Sequence, residues 1–300
     1  MYIYRHIPKF SSHSPCVLTI GNYDGIHLGH QKIINELLIK SKKCQIESAI
    51  MIFEPHPREF FTPKDAPSRI TSLREKIEYF QSKKIDRVYV VKFDKRFAHM
   101  SGDTFISKLK EQILAKIVLV GEDFRFGNNR EYGINDLLKS NIEISILKEI
   151  KKNNKRVSST HVRKALASGD LNLAKAFLGR DYCISGRVVH GDKIGREIGF
   201  PTANIHMFHN RPPIKGVFAV KLNEKFGVAN LGTRPTIKGV SKLHLEVHVL
   251  NFSKDLYGQH VHITFLKKIR DEVKFKSIEA LKAQIKKDII SAEIFLKNYD

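Results

Sequence analysis

The chain has 300 residues, 42% of them hydrophobic, and a formal net charge of +21 from 52 Lys and Arg against 31 Asp and Glu. That length predicts two domains with sizeable cores, and the absence of any apolar run of about 18 residues excludes a membrane-spanning helix. The start, Met1-Tyr2-Ile3-Tyr4-Arg5-His6, has no apolar signal core, and Cys16, Cys44 and Cys183 form neither a disulfide framework nor a zinc pattern, so a reducing cytoplasm is expected.

The first half alternates. Strand-like runs at Val17–Ile20, Ile46–Phe53, Arg87–Val91, Ile117–Val120 and Ile142–Leu147 are interleaved with helix-like runs at Leu28–Lys40, Ser72–Gln81 and Thr104–Leu114. This order predicts a mostly parallel sheet with helices on both faces, whose ligands bind beyond the carboxyl ends of the strands. Gly21, Asn22, Asp24 and Gly25 break the first strand before the first helix. A strand feeding a Gly-rich turn and a helix N-terminus suits a phosphate, and His27 and His30 are spaced to face the same anion. Spacing alone also fits a plain turn with two surface histidines, and neither a P-loop nor a Gly-x-Gly-x-x-Gly order is present.

Two further clusters follow. Gly121-Glu122-Asp123-Phe124-Arg125-Phe126-Gly127 places an acid, aromatics and an Arg between glycines, which suits a purine nucleoside or a plain loop. Ser158-Ser159-Thr160-His161-Val162-Arg163 reads as an N-cap, hydroxyls and an Arg at a helix start, either a phosphate clamp or an ordinary cap. Leu171–Leu178 with Gly179 reads as a short helix with a C-terminal stop and a domain boundary.

The second half changes pattern. Tyr182–His190, Val217–Leu222, Gly227–Leu231, Leu243–Leu250 and His260–Phe265 are strand-like, which predicts a small antiparallel barrel or sandwich. Ser277 would cap one long amphipathic helix running through Leu296. The segment from Gly191 to Asn204 is read as a loop in which Gly191, Gly195 and Gly199 permit close backbone approach, and Lys193 and Arg196 meet phosphates. Thr202 and Asn204 offer oxygens to Mg²⁺. His244, Glu246 and His248 alternate with Leu245, Val247 and Val249, so the polar trio shares one strand face. An inert solvent face, metal ligation and a general base at Glu246 are the competing readings, and both histidines stay without a role.

Taken together, these motifs resemble the bacterial bifunctional riboflavin kinase/FAD synthetases. Gly21-x-Tyr23-Asp24-Gly25 with His27-Leu28-Gly29-His30 is similar to the nucleotidylyltransferase His-x-Gly-His signature, and Gly199-Phe200-Pro201-Thr202-Ala203-Asn204 to the riboflavin kinase signature. The resemblance covers nearly the whole chain in order and implies a Rossmann-like α/β domain at 1–181 for FMN adenylylation and a barrel domain at 182–300 for riboflavin phosphorylation. It implies ATP sites at Gly21, Asp24, His27, His30, Asp123, Phe126, Ser159, Thr160 and Arg163, and at Gly191, Lys193, Gly195, Arg196, Thr202 and Asn204. It also implies flavin contacts at Phe61, Arg270 and Glu272, Glu246 as base for the riboflavin 5′-hydroxyl, and ATP and Mg²⁺ with riboflavin and FMN as substrates and FAD as product. Two departures stand out: Tyr23 where Phe is usual, and Glu131-Tyr132-Gly133-Ile134 in place of a Gly-Asp loop ending.

Two other classes compete. An adenylyltransferase of another substrate would use the barrel only for docking. A basic nucleic-acid binder would need clustered cations and aromatics on barrel strands, whereas the strands are mainly aliphatic and the cations lie in scattered pairs such as Lys42-Lys43 and Lys267-Lys268. Small-molecule substrates, no membrane or nucleic-acid partner, and a monomer or weak homo-oligomer are therefore expected.

Overall fold

A computed structural model describes residues 1–10, 13–152, 154–191, 194–209, 211–234 and 242–299; for 194, 196, 233, 234 and 242 the backbone alone is described. The chain forms two compact units, Met1–Pro67 with Leu73–Ser158, and Ser68–Ser72 with Ser159–Asp300.

The first unit is built on a parallel sheet of six strands: β1 (Tyr2–Tyr4), β2 (Cys16–Ile20), β3 (Glu47–Glu54), β4 (Arg87–Lys92), β5 (Ala115–Gly121) and β6 (Glu143–Leu147), in the order β1-β4-β3-β2-β5-β6. Every residue of β2 is buried, as expected of a central parallel strand covered on both faces. Alternate side chains feed two cores. Leu18, Met51, Tyr89 and Val118 pack with Phe105 and Leu109, while Val17, Ile50, Val88 and Leu119 pack with Ile34, Leu37 and Phe80 from the helices Leu28–Cys44 and Leu73–Ser82. From β2 the chain steps to β3 and β4 on one side, then returns to add β5 on the other. The sheet thus reverses direction between β2 and β5, where open α/β sheets bind ligands.

In this unit two features depart from the sequence expectation. The edge strand β1, only three residues long and pairing with β4 alone, has no two-sided burial to mark it. The helix expected over Thr104–Leu114 is instead a short helix, Gly102–Ser107, continued by a π-helical turn at Lys108–Gln112. Phe105, Leu109 and Ile113 recur every four residues and are all buried, and a widened turn keeps that spacing on the core side.

The second unit contains a closed barrel of six strands. Going around it, Ala203–Met207 pairs with Lys242–Val249, then come Lys225–Arg234, Gly216–Leu222, His260–Arg270 and Tyr182–Val189, which pairs back onto Ala203–Met207. The register aligns Ile205 with Val188 and Leu245, Leu245 with Leu231, and Val247 with Ala229. All of these are buried and fill the interior. Ala203–Met207, whose first two residues fall in the expected loop and whose last three carry no sequence expectation, is a strand and closes the barrel. The helix Ile278–Leu296 begins as expected, Ser277 Oγ accepting the Ala280 N–H at 3.1 Å, and lays Ala292 and Leu296 on Ala219 and Leu266. The helices Ser159–Ser168 and Leu171–Leu178 belong to this unit by packing, the second lying against the Tyr182–Val189 and His260–Arg270 strands.

Candidate active sites

In the first unit the turn after β2 is held in an uncommon backbone conformation. Tyr23, Gly25 and Ile26 have φ of 51°, 88° and 42°, a cost repaid by burying both large side chains. Tyr23 finds a partner for its hydroxyl, 2.6 Å from Thr19 Oγ1, which itself donates to the Leu119 carbonyl. The turn delivers His27 as the N-cap of the Leu28–Cys44 helix, its Nδ1 accepting the His30 N–H at 3.4 Å. That assignment leaves the proton of a neutral ring on Nε2. The His27 and His30 rings stack at 3.7 Å between centroids and 15° between planes, and Gly29 lies beneath, where a Cβ would come within 3.1 Å of the His27 ring. His27 and Asp24 are 7% and 2% exposed. The Oδ1 of Asn22 is buried with no hydrogen-bond partner among the described residues, a feature that no sequence spacing marks.

Because β2 and β5 are parallel neighbours, with Thr19 opposite Leu119, the Gly121–Gly127 loop leaves the same edge of the sheet. Asp123 is exposed and bridged to Arg156 at 2.8 Å. Phe126 is a core residue, packed among Phe105, Phe124 and Tyr132, with reciprocal backbone bonds to Tyr132. Its ring supports the loop from beneath. The departure at Tyr132 has a matching vacancy: the ring lies against Gly102, where any Cβ would collide, and its hydroxyl donates to Asp103 at 2.6 Å. On the other side of β2, the β3 end leads to Phe61, which is 61% exposed and meets Phe60 and Phe93 edge to face.

In the second unit the helix Ser159–Ser168 starts one residue after Ser158, with Thr160 exposed on its first turn. Arg163 is half-buried, and its Nε donates to the Ser68 carbonyl at 2.7 Å.

On the barrel, Asn204 pairs in register with Glu246, and Glu246 with Asn230 on the next strand. Paired residues project to the same face, so the amide and the carboxylate stand side by side, opposite to the buried Leu245 and Val247. Two glycines fit the flanking side chains. A Cβ on Gly191 would collide with the Asn204 side-chain amide, Nδ2 first and Oδ1 at 2.7 Å, and one on Gly195 would sit 3.1 Å from Thr202 Oγ1 and 2.5 Å from the Phe200 carbonyl oxygen. The Phe200 N–H closes this turn on the Gly195 carbonyl at 2.7 Å. Thr202 and Asn204 thus offer oxygens of the type Mg²⁺ takes, in a cradle that a Cβ would fill. Lys193 lies outside the described residues, and of Arg196 only the backbone is described. Arg270 has its fork committed: Nε and Nη2 donate to the buried Asp288 carboxylate at 2.9 and 2.8 Å, and Nη1 to the Asp271 carbonyl. Glu272 is exposed and lies over Gly232, whose missing Cβ makes room for the carboxylate.

The FAD synthetase family model matches residues 9–161 and the riboflavin kinase model matches residues 178–296. A bifunctional riboflavin kinase/FMN adenylyltransferase of Haemophilus influenzae is 45% identical, the match covering 94% of this chain and 95% of that one. The Escherichia coli protein of the same description is 46% identical over 93% of this chain and 92% of its own. A crystal structure described as a macrolide-efflux protein from Streptococcus pneumoniae superposes with a TM-score of 0.81 at 28% identity, covering 97% of this chain and 98% of the other. No helix among the described residues is long and apolar enough to cross a membrane. Two family matches in series, and relatives of like identity along almost the full length, carry one conclusion: the chain belongs to the bifunctional riboflavin kinase/FMN adenylyltransferase family.

Proposed function

We infer that the strand–turn–helix of the first unit carries adenylyl transfer and that the outer face of the barrel carries the kinase reaction. As a member of its family the chain phosphorylates riboflavin with ATP to FMN, and adenylylates FMN to FAD with release of pyrophosphate. The observation that supports the residue assignment best is the register of Asn204 beside Glu246.

In the kinase reaction, the riboflavin 5′-oxygen bonds to the γ-phosphorus of ATP while Glu246 takes its proton and ADP departs with the bridging oxygen. Thr202 and Asn204 would hold Mg²⁺, which when bound would neutralise phosphate charge. Gly191, Lys193, Gly195 and Arg196 serve the ATP phosphates. Arg270 and Glu272 contact the flavin, Arg270 through its guanidinium plane because its fork is held by Asp288.

In the adenylyl transfer, a phosphate oxygen of FMN bonds to the α-phosphorus of ATP and pyrophosphate leaves. That oxygen is already anionic, so the demand is charge neutralisation and positioning, not proton removal. His27, His30 and the helix N-terminus supply it, with Gly21, Asp24 and Asp123 as further ATP contacts. Phe126 serves by fixing the loop under the base, and the exposed Phe61 offers an edge to the flavin. The functional boundary lies at 181/182, and the chain acts in the cytoplasm as a monomer or weak homo-oligomer without a membrane or nucleic-acid partner.

Chromatography of products from riboflavin, ATP and Mg²⁺, and separately from FMN, ATP and Mg²⁺, tests the reading in Glu246→Gln and His30→Ala variants. Each variant is expected to lose one product and keep the other reaction. Loss of both reactions in either variant, or of neither, overturns the assignment.

A further inference from the structure

Of the outward-facing residues on the Lys242–Val249 strand, Glu246 has a role in the reading above and His248 has none. The two are separated by one buried residue, Val247, and so share a face. His248 Nδ1 lies 2.8 Å from the Pro201 carbonyl oxygen. A carbonyl only accepts, so Nδ1 carries the proton and donates. The same ring meets Phe200 edge to face, with centroids 5.9 Å apart and planes at 82°. His248 therefore grips two successive residues of the turn that precedes Thr202.

The ladder explains why such a grip matters. Asn204 is fixed from both sides, opposite Glu246 on one neighbour and Val189 on the other. Thr202 is not in the ladder, because its strand begins at Ala203. Strand pairing alone therefore sets the Asn204–Glu246 spacing and leaves Thr202 to the turn. That turn is closed internally by the Phe200 N–H on the Gly195 carbonyl, and Pro201 has no N–H with which to pin itself. The His248 bond ties the turn to the strand that bears Glu246.

We propose that His248 is a positioning residue of the kinase reaction: by donating to the Pro201 carbonyl and packing on Phe200, it fixes Thr202 relative to Glu246 and Asn204. The proposal rests on the assignment of Glu246, Thr202 and Asn204 given above.

The test uses the full chain and two substitutions with opposite virtues. His248→Asn keeps an N–H donor close to the position of Nδ1 but is a poor strand former. His248→Phe keeps a ring against Phe200 and is a good strand former, but has no donor. With riboflavin, ATP and Mg²⁺, His248→Phe is expected to lower kcat for FMN formation by about 10- to 100-fold, the scale of a small misplacement of reacting groups. His248→Asn is expected to keep most of the wild-type kcat. Quenching of riboflavin fluorescence should persist in both variants, reporting an intact barrel, and FAD formation from supplied FMN should be unchanged. A merely structural histidine predicts the reverse order, because Phe suits the strand better than Asn, and any result in which Asn does no better than Phe overturns the proposal. Glu246→Gln, run in parallel, separates the two levels. If it forms FMN at the wild-type rate, the underlying assignment fails; if it alone is impaired and both His248 variants are normal, the assignment stands and the positioning role fails.

Discussion

The two proposed sites are assembled by different structural means. In the first unit the two histidines proposed for adenylyl transfer come from one continuous segment: a buried strand, a turn with three residues at positive φ, and a helix whose cap is itself a histidine. In the barrel the groups come from separate strands, and their spacing is set by register, Asn204 beside Glu246 beside Asn230. The nucleophiles explain the contrast. A flavin phosphate is charged before it reacts and needs only a field to lean on, the role proposed for the helix N-terminus and the two rings. An alcohol must lose a proton, and that requires a carboxylate held at a defined place relative to the phosphate-binding oxygens. Local sequence builds the first kind of site; the second needs distant segments brought into pairing.

The largest effect is expected where a proton must move. Glu246→Gln should reduce FMN formation from riboflavin by about 10²- to 10⁴-fold, the usual worth of a general base, and leave FAD formation from supplied FMN intact. Separate assays of the two products check this, and an equal loss of both would erase the contrast between the sites. His30→Ala should lower FAD formation by roughly 10²-fold or more, comparable to removing one donor to a developing charge, with FMN formation preserved. Its rate should also show no new dependence on pH between 6 and 9, since no base is removed.

Smaller effects sharpen the comparison. Gly191→Ala would drive a Cβ into the Asn204 side-chain amide, Nδ2 first. FMN formation should fall by roughly 10- to 100-fold, with a higher Mg²⁺ concentration needed for half-maximal rate in a magnesium titration. Tyr23→Phe removes a hydroxyl bonded to Thr19 while Thr19 keeps its bond to Leu119. About 0.5–1.5 kcal/mol of stability should be lost in urea unfolding, with both activities retained.

The smallest effect is electrostatic. His13 has its pKa lowered from its ordinary 6.5, first by burial and then by the Arg87 charge, against a weaker opposing pull from Glu47. A lowered value means that the unfolded chain binds the proton more readily. Stability of the first unit should therefore hold above pH 6.5 and decline as the pH falls below it. Urea midpoints at pH 7.5 and 5.5 should differ less in His13→Gln than in the wild type.

Much of the fold was legible because burial leaves a period. Strands such as Val17–Ile20 and Ile117–Val120, covered on both faces, read as unbroken apolar runs, and the Ser277 cap marked the last helix to the residue. What was missed had weak local signals. Tyr2–Tyr4 is an exposed edge, and Ala203–Met207 follows a proline and is held by partners some fifteen to forty residues away in sequence, Val188 and Leu245 among them.

The same division runs through the sites. Sequence by itself determined which residue types stand together along the chain: His27 with His30, Thr202 with Asn204, Glu246 with His248 on one strand face. Those follow from helix and strand periods, which are properties of the backbone. Only the tertiary structure decided that Phe126 is core, that the fork of Arg270 is spent on Asp288, that Asn204 meets Glu246, and that His248 reaches Pro201. Each of these depends on contacts between segments far apart in the chain, for which a single sequence carries no period to read.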